Sequence, residues 1–351
     1  MFYVIIDHLV DKNGLFICKA DIKESTLSAR IKNAGKINKQ ENTKMILTVC
    51  PNPSIDCTVE LDTLNVGKVN RIENKIITYS GKALNVAIGA SRLGGDAVAT
   101  GFMFSNDSGQ FTQTLSKEGV ASRFVLTPGH VRINYKIIDK RAMMTEINDK
   151  GEFVLSEKQD ELIELTSRLA KKASIVVMSG SLPQGIDDDF YYKMIKKLPS
   201  GVKIAVDCEG EKLKKALSAG VFLVKPNLYE LESITETKCT SKKDMILGAK
   251  KLIDMGAKKV LLSLGPSGAI LTDGQVHLYC KSANVAVNST VGAGDCMLAA
   301  ACVMQERGLD DEQILRSAVA AGTASITTPG TNLFYKDKYE EIYDRIVVEE
   351  I

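Results

Sequence analysis

Ser289-Thr-Val-Gly292-Ala293-Gly294-Asp295 runs directly into the apolar segment Cys296-Met-Leu-Ala-Ala-Ala-Cys-Val-Met. Glycines in such a turn let backbone N–H groups converge at a helix N-terminus, where unpaired donors and the helix dipole suit an anion. Asp295 sets a carboxylate at the same point, so a phosphate and a base would meet there; as a helix cap the same residue would need no ligand at all. The turn is neither G-x-x-x-x-G-K-[ST] nor G-x-G-x-x-G, which excludes a Walker loop and a dinucleotide fingerprint.

Lys225-Pro-Asn227-Leu-Tyr-Glu230 follows the apolar run Val221–Val224. An amide and a carboxylate three residues apart at the start of a helix share one face at the carboxyl end of a sheet, where ligands bind in α/β folds. Hard oxygen donors of this kind suit hydrated Mg²⁺, and Glu230 equally suits the ordinary role of a first-turn acid. Ser263-Leu-Gly265-Pro-Ser-Gly268 gives backbone that can approach a ligand closely, a weak signal taken alone. Ser80-Gly81-Lys82-Ala83-Leu84-Asn85 opens a helix with a Lys and an Asn, suited to a phosphorylated or hydroxylated ligand or simply to a cap and a solvated charge. Asp56, in Asn52-Pro-Ser-Ile-Asp, and Arg132, in Arg132-Ile-Asn134-Tyr-Lys136, add a carboxylate and a planar cation with the fork geometry for phosphate; a surface ion pair is the alternative for each.

The elements that must position these residues are legible from Met45 onward. Short β-branched runs alternate with segments of helical period, the rhythm of βαβ units. Strands are expected at 46–49, 98–102, 174–178, 203–206, 222–224 and 260–263, several as continuous apolar runs of the kind buried on both faces of a parallel sheet. Helices are expected at 84–94, 108–118, 157–172, 187–197, 211–218, 229–235, 242–255, 295–306 and 312–325. Residues 55–79 and 130–155 break the rhythm with strand-strand alternation, which predicts a small projecting β-sheet with one apolar face, suited to a lid or a dimer contact.

Composition bounds the rest. The 351 residues are 44% hydrophobic and 25% charged, with a formal charge of +2, and the mean hydropathy is −0.02. That balance supports no whole-chain field for nucleic acid or anionic membrane. No run approaches the length of a spanning helix, and Phe2-Tyr3-Val4-Ile5-Ile6 is interrupted by Asp7 without a basic leader, so a cytoplasmic location is expected. The eight cysteines form no C-x-x-C pair, which suits reduced thiols. Three well-separated histidines and the lack of a G-x-S-x-G elbow argue against His-based zinc and Ser-His-Asp hydrolysis. Residues 1–44 carry eight Lys or Arg against five Asp or Glu, which leaves the other 307 residues at −1. They read as an N-terminal extension of unknown role.

Taken together, Asn52-Pro-Ser-Ile-Asp, Gly81-Lys82…Asn85, Arg132-Ile-Asn-Tyr-Lys, Ser179-Gly-Ser181-Leu-Pro, Lys225-Pro-Asn…Glu230, Ser263-Leu-Gly…Gly268 and Gly292-Ala-Gly-Asp resemble the PfkB-type (ribokinase-like) carbohydrate kinases from Met45 to about residue 335. The 1-phosphofructokinase and tagatose-6-phosphate kinase branch is the most similar. The resemblance implies an α/β fold, a three-layer α/β/α domain with a mostly parallel central sheet and a small β-sheet lid, over residues 45–335, followed by a C-terminal helix at 336–351. It also implies that Asp295 takes the proton from a sugar hydroxyl and that Gly292, Ala293 and Gly294 form an anion hole. Lys225, Asn227, Glu230, Ser263, Gly265 and Gly268 would hold ATP, with Asn227 and Glu230 on Mg²⁺ through water. Asp56, Gly81, Lys82, Asn85, Arg132 and Ser181 would hold the sugar phosphate. The expected reaction is phosphorylation of a hexose phosphate, fructose 1-phosphate to the 1,6-bisphosphate, by a homodimer joined through the lid. Tagatose 6-phosphate is the alternative acceptor, and a non-catalytic sugar-phosphate-binding regulator the alternative class. Neither membrane nor nucleic acid is an expected partner. The chain departs from the family pattern at Ser80 and Ala83, where glycines are usual, at Phe104-Ser105, at Asp207-Cys208-Glu209-Gly210 and at Cys296.

Overall fold

The computed structural model describes residues 45–141, 143–328 and 332–351, so the expectation for residues 1–44 lies outside the described residues. The chain starts with β1 (Met45–Cys50), leaves for a small sheet through β2 (Ser54–Leu61) and β3 (Asn74–Ser80), and enters α1 (Lys82–Arg92). It continues through β4 (Ala97–Phe104), α2 (Ser108–Lys117) and β5 (Ala121–Thr127), then returns to the small sheet with β6 (Arg132–Asp139) and β7 (Met144–Ile147). The alternation resumes in α3 (Ser156–Ala170), β8 (Ala173–Ser179), α4 (Phe190–Lys197), β9 (Lys203–Asp207), α5 (Gly210–Ser218) and β10 (Val221–Val224). Next come α6 (Leu228–Thr235), α7 (Lys242–Asp254), β11 (Ala257–Ser263), β12 (Ala269–Thr272) and β13 (His277–Cys280). The remaining elements are α8 (Ala293–Glu306), α9 (Asp311–Ser325), α10 (Lys336–Tyr343) and β14 (Val348–Glu350).

The large sheet has ten strands in the order β14-β13-β12-β11-β10-β9-β8-β1-β4-β5. Pairings from β5 through β11 are parallel, whereas β12, β13 and β14 add on antiparallel. The central runs are apolar on both faces because helices cover both, and Leu47, Val49, Val176 and Val177 are fully buried. Truncating Leu47 to Ala would cost about 2–5 kcal/mol. The two helices nearest the site, α1 and α8, are buried almost all round, as expected of helices packed between sheet and neighbour. Strand β4 lies hard against β1 at Gly101 (φ 148°), where a Cβ would fall 1.9 Å from the Cys50 carbonyl oxygen.

The small sheet has the order β3-β2-β6-β7. Its registers pair Asp56 with Thr78 and Asn134, and Thr58 with Ile76 and Lys136, whereas Ile55, Cys57 and Val59 pair with Ile133, Tyr135 and Ile137. Alternation therefore makes one face largely polar and the other apolar. The strands β6 and β7 lie inside the expected stretch 130–155, and β2 and β3 overrun the expected stretch 55–79 by one residue at each end.

Three features differ from the sequence expectation. Strand β5 was not expected; its pattern alternates buried and exposed positions because it is an edge. The antiparallel β12–β14 extension was not expected either, since its strands are three or four residues long. The helix expected over 336–351 ends at Tyr343, and Val348–Glu350 instead pairs with the open edge of β13, closed by Ile351 N donating to the His277 carbonyl at 2.9 Å. β-Branched Val347 and Val348 favour the extended ladder over another helical turn. Among the described residues no helix is long and apolar enough to cross a membrane.

Candidate active site

The carboxyl ends of β1, β8, β9, β10 and β11 open onto a cavity of about 620 Å³. The order β4-β1-β8 places a switch point at β1, since the chain moves from β1 to β4 on one side and later builds β8 on the other. Of the residues singled out in the sequence, Asp56, Gly81, Lys82, Asn85, Arg132, Ser181, Lys225, Asn227, Glu230, Ser263, Gly292, Gly294 and Asp295 line this cavity. Gly265, Gly268 and Ala293 line an adjoining, mainly apolar pocket of about 350 Å³ that shares Asn227, Ser263 and Gly294 with it.

Gly292 is the N-cap of α8 in the left-handed region (φ 79°), which turns the backbone so that Ala293, Gly294 and Asp295 form the first helical turn. Asp295 is the acidic residue of that turn. Its buried carboxylate accepts from Asn85 Nδ2 at 2.8 Å. Burial and the negative charge of Asp207 push it up to about 6, against the opposing pull of Lys82, Asn85 and Lys225. A carboxylate with that value is ionised at neutral pH and still a competent proton acceptor.

Lys225 leaves β10 and is buried; its Nζ lies 3.4 Å from Asp207 Oδ2, while Lys82 Nζ lies 3.7 Å from Oδ1. Burial alone would raise the Asp207 carboxyl, but the two ammonium groups outweigh it and hold Asp207 below its ordinary value. In return, Asp207 holds Lys82 well above the usual lysine range. The two lysines are thus poised around one carboxylate at the end of β9, with their charge directed to the cavity wall.

Asn227 and Glu230 form a reciprocal capping box on α6, each side chain accepting the other's backbone N–H at 2.8 Å. The side chains cap the helix, and both residues also line the cavity. Among the described residues no group of three or more His, Cys, Asp or Glu is arranged as a direct metal cluster. One carboxylate and one amide oxygen do fit Mg²⁺ held through its own waters.

Arg132 lines the cavity, and its guanidinium is partly committed to structure: it donates to the carbonyls of Pro53 at 3.3 Å, Asn52 at 3.2 Å and Asp149 at 3.0 Å. Two of its five N–H groups are left over. Asp56 lies on the polar face of the small sheet and accepts from Lys136 Nζ at 2.8 Å, Ser54 Oγ at 3.0 Å and Asn134 Nδ2 at 3.2 Å. Ser181 Oγ accepts from Asn52 Nδ2 at 3.2 Å. The cysteines near the site are not nucleophiles, since burial pushes Cys50 up to about 11 and Cys296 to about 12.

Sequence reasoning missed Asp207, Lys136, Asn134, Asn52 and Ser80, all of which line the cavity. A carboxylate closing the strand 203–206 was a usable signal for Asp207. Lys136 and Asn134 share the period-two face of β6, but that their partner is Asp56 depends on a parallel pairing with β2 that local sequence does not announce.

Residues 52–338 match the signature of the pfkB family carbohydrate kinase. The chain belongs to this family. The 1-phosphofructokinase of Vibrio cholerae is 30% identical over 308 residues, covering 87% of this chain and 97% of that protein. The tagatose-6-phosphate kinase of Staphylococcus epidermidis is 29% identical over 311 residues, covering 88% of this chain and all of that protein. Among solved structures, phosphofructokinase-2 from Escherichia coli in complex with substrates and products superposes with a TM-score of 0.81 at 28% identity, covering 86% of this chain and 99% of that one. The fold is ribokinase-like, and the protein is a carbohydrate kinase. In such a kinase the catalytic task is positioning and charge neutralisation.

Proposed function

We propose that the protein transfers the γ-phosphoryl group of ATP to fructose 1-phosphate, giving fructose 1,6-bisphosphate. The observation that carries this reading is the buried Asp295 carboxylate at the α8 N-terminus, oriented by Asn85 between a polar cavity and an apolar pocket. The apolar pocket takes the nucleotide base, against Gly265, Gly268 and Ser263. The polar cavity takes the acceptor sugar, with Asp56, Asn85 and Gly81 toward its hydroxyls, and Lys82, Arg132 and Ser181 toward its phosphate. Asp295 accepts the proton of the attacking hydroxyl, and the N–H groups of the Gly292–Gly294 turn gather the charge of the transferring phosphoryl. Lys225, fixed by Asp207, neutralises the nucleotide phosphates. Bound Mg²⁺ would draw charge from those phosphates, held through water by Asn227 and Glu230. The catalytic unit spans residues 45–335, with the small sheet as the lid over the acceptor.

Tagatose 6-phosphate is the second reading, favoured by a relative of that activity at an identity within a per cent of the first. Supporting a homodimer through the lid, Ile77, Tyr135 and Ile147 on its apolar face are 41–56% exposed. Supporting a cytoplasmic location, the seven cysteines described are all unpaired.

A coupled ADP-release assay with Mg-ATP against fructose 1-phosphate, fructose 6-phosphate, tagatose 6-phosphate and unphosphorylated sugars tests the assignment. Turnover should be greatest with fructose 1-phosphate and should fall about 10²-fold or more in Asp295→Asn, with ligand affinity kept. Preference for tagatose 6-phosphate would replace the acceptor and keep the mechanism. Undiminished turnover in Asp295→Asn would overturn the mechanism.

A further inference from the structure

Asp295 is reached by a chain of two buried hydrogen bonds. Ser80 Oγ donates to Asn85 Oδ1 at 3.3 Å, and Asn85 Nδ2 donates to Asp295 Oδ2 at 2.8 Å. The three side chains come from the end of β3, the first turn of α1 and the first turn of α8. We propose that Ser80 is a positioning residue for phosphoryl transfer, its hydroxyl holding the Asn85 amide in the orientation that presents N–H to Asp295. This inference rests on the reading of Asp295 as the base.

An asparagine amide offers a donor on one side and an acceptor on the other. Turned over, Asn85 would set Oδ1 against Asp295 Oδ2, two acceptors at 2.8 Å. A donor on Oδ1 favours the productive orientation and polarises the amide, which strengthens the N–H offered to the carboxylate. At 3.3 Å the Ser80 contact is long for a hydroxyl donor, so it orients the amide more than it anchors it. The backbone that carries Ser80 is pinned from both sides. Ser80 pairs with Ser54 in the β2–β3 ladder, and Gly81 follows at φ 152°, where a Cβ would stand 2.7 Å from Cys50 Sγ.

The charged groups that face Asp295 are Asp207 at the end of β9, Lys82 on α1 and Lys225 after β10. Asn85 is the neutral donor among the groups favouring the carboxylate, and Ser80 acts only through it. Loss of the Ser80 hydroxyl therefore makes Asp295 easier to protonate.

The test is the pH profile of kcat, with KM for both substrates, in Ser80→Ala, Ser80→Gly and Ser80→Thr beside wild type and Asp295→Asn. Ser80→Ala and Ser80→Gly should both move the acidic limb upward by about 0.3–0.5 pH unit, a two- to threefold loss of turnover below the limb, the low end for a neutral hydrogen bond. KM should stay within about twofold, and Ser80→Thr, which keeps the hydroxyl, should restore the wild-type limb. Ser80→Gly leaves no methyl in place of the hydroxyl, and thermal unfolding of each variant confirms that the fold is kept. An unmoved limb in both hydroxyl-free variants, with Asp295→Asn inactive, would overturn the positioning role alone. Full turnover in Asp295→Asn would overturn the base and the positioning role together.

Discussion

Replacing Asp295 by Asn removes a charge that folding forces out of water, and the variant should be more stable than the protein it inactivates. In the unfolded chain this carboxyl titrates near 3.8, and in the folded protein near 6, chiefly through burial and then through Asp207. A folded value raised above the unfolded one gives stability that is present below the unfolded value and lost as pH rises through the folded value. At about 1.36 kcal/mol per pH unit, the ionised side chain costs the folded state about 3 kcal/mol above pH 7 and about 1 kcal/mol at pH 4.5. Asparagine keeps the shape and an acceptor for Asn85 but carries no titrating group. Urea unfolding of both proteins at pH 4.5 and 7.5 should show the advantage of Asp295→Asn widening by about 2 kcal/mol between the two. An advantage equal at both pH values, or none at either, would refute the burial argument on which the assignment of the base depends.

Asp207→Asn should destabilise the protein by about 3 kcal/mol, because Lys225 is left as a buried ammonium without its counter-charge. The same change removes a like charge from beside Asp295, so the acidic limb of kcat should move to lower pH while KM for ATP rises; thermal unfolding and the pH–rate profile check the two effects. Ile147→Asp places a charge on the exposed apolar face of the small sheet, and static light scattering should report a dimer for the wild type and a monomer for the variant, with a wild-type monomer overturning the lid interface.

The parts of this fold that were legible in the sequence are those where one physical signal dominates. Ile46–Val49, Ser174–Met178 and Val260–Ser263 stood out because strands buried on both faces must be apolar throughout. Strands β5 and β12–β14 did not, because an edge strand or a three- or four-residue strand is defined by the ladder beside it and not by its own composition. At the site, residues at strand ends and helix starts were legible as isolated fragments, each with an ordinary structural alternative. Their convergence came from resemblance, since no local pattern brings Asn85 to Asp295 across 210 positions. For Asn227 and Glu230 the capping role is the one the geometry displays, and it fixes the pair at the cavity rim. Arg132 carries a structural duty that its side-chain chemistry gave no hint of, since three backbone carbonyls claim its donors.

The small sheet is joined to the main body by four connections of unequal length: three residues between β1 and β2, one between β3 and α1, four between β5 and β6, and eight between β7 and α3. The one-residue joint is Gly81, wedged against Cys50 and Pro53. The eight-residue joint is tied down as well: Asn52 Nδ2 donates to the Lys150 carbonyl at 3.0 Å, Arg132 Nη1 to that of Asp149 at 3.0 Å and Gln184 Nε2 to that of Gly151 at 2.6 Å. Ser80 therefore sits beside the shortest joint, whereas Glu146 is carried on the outer strand and Asn148 opens the longest joint. Any shift of the sheet against the main body would have to break these three hydrogen bonds, so the longest connection is not a loose one.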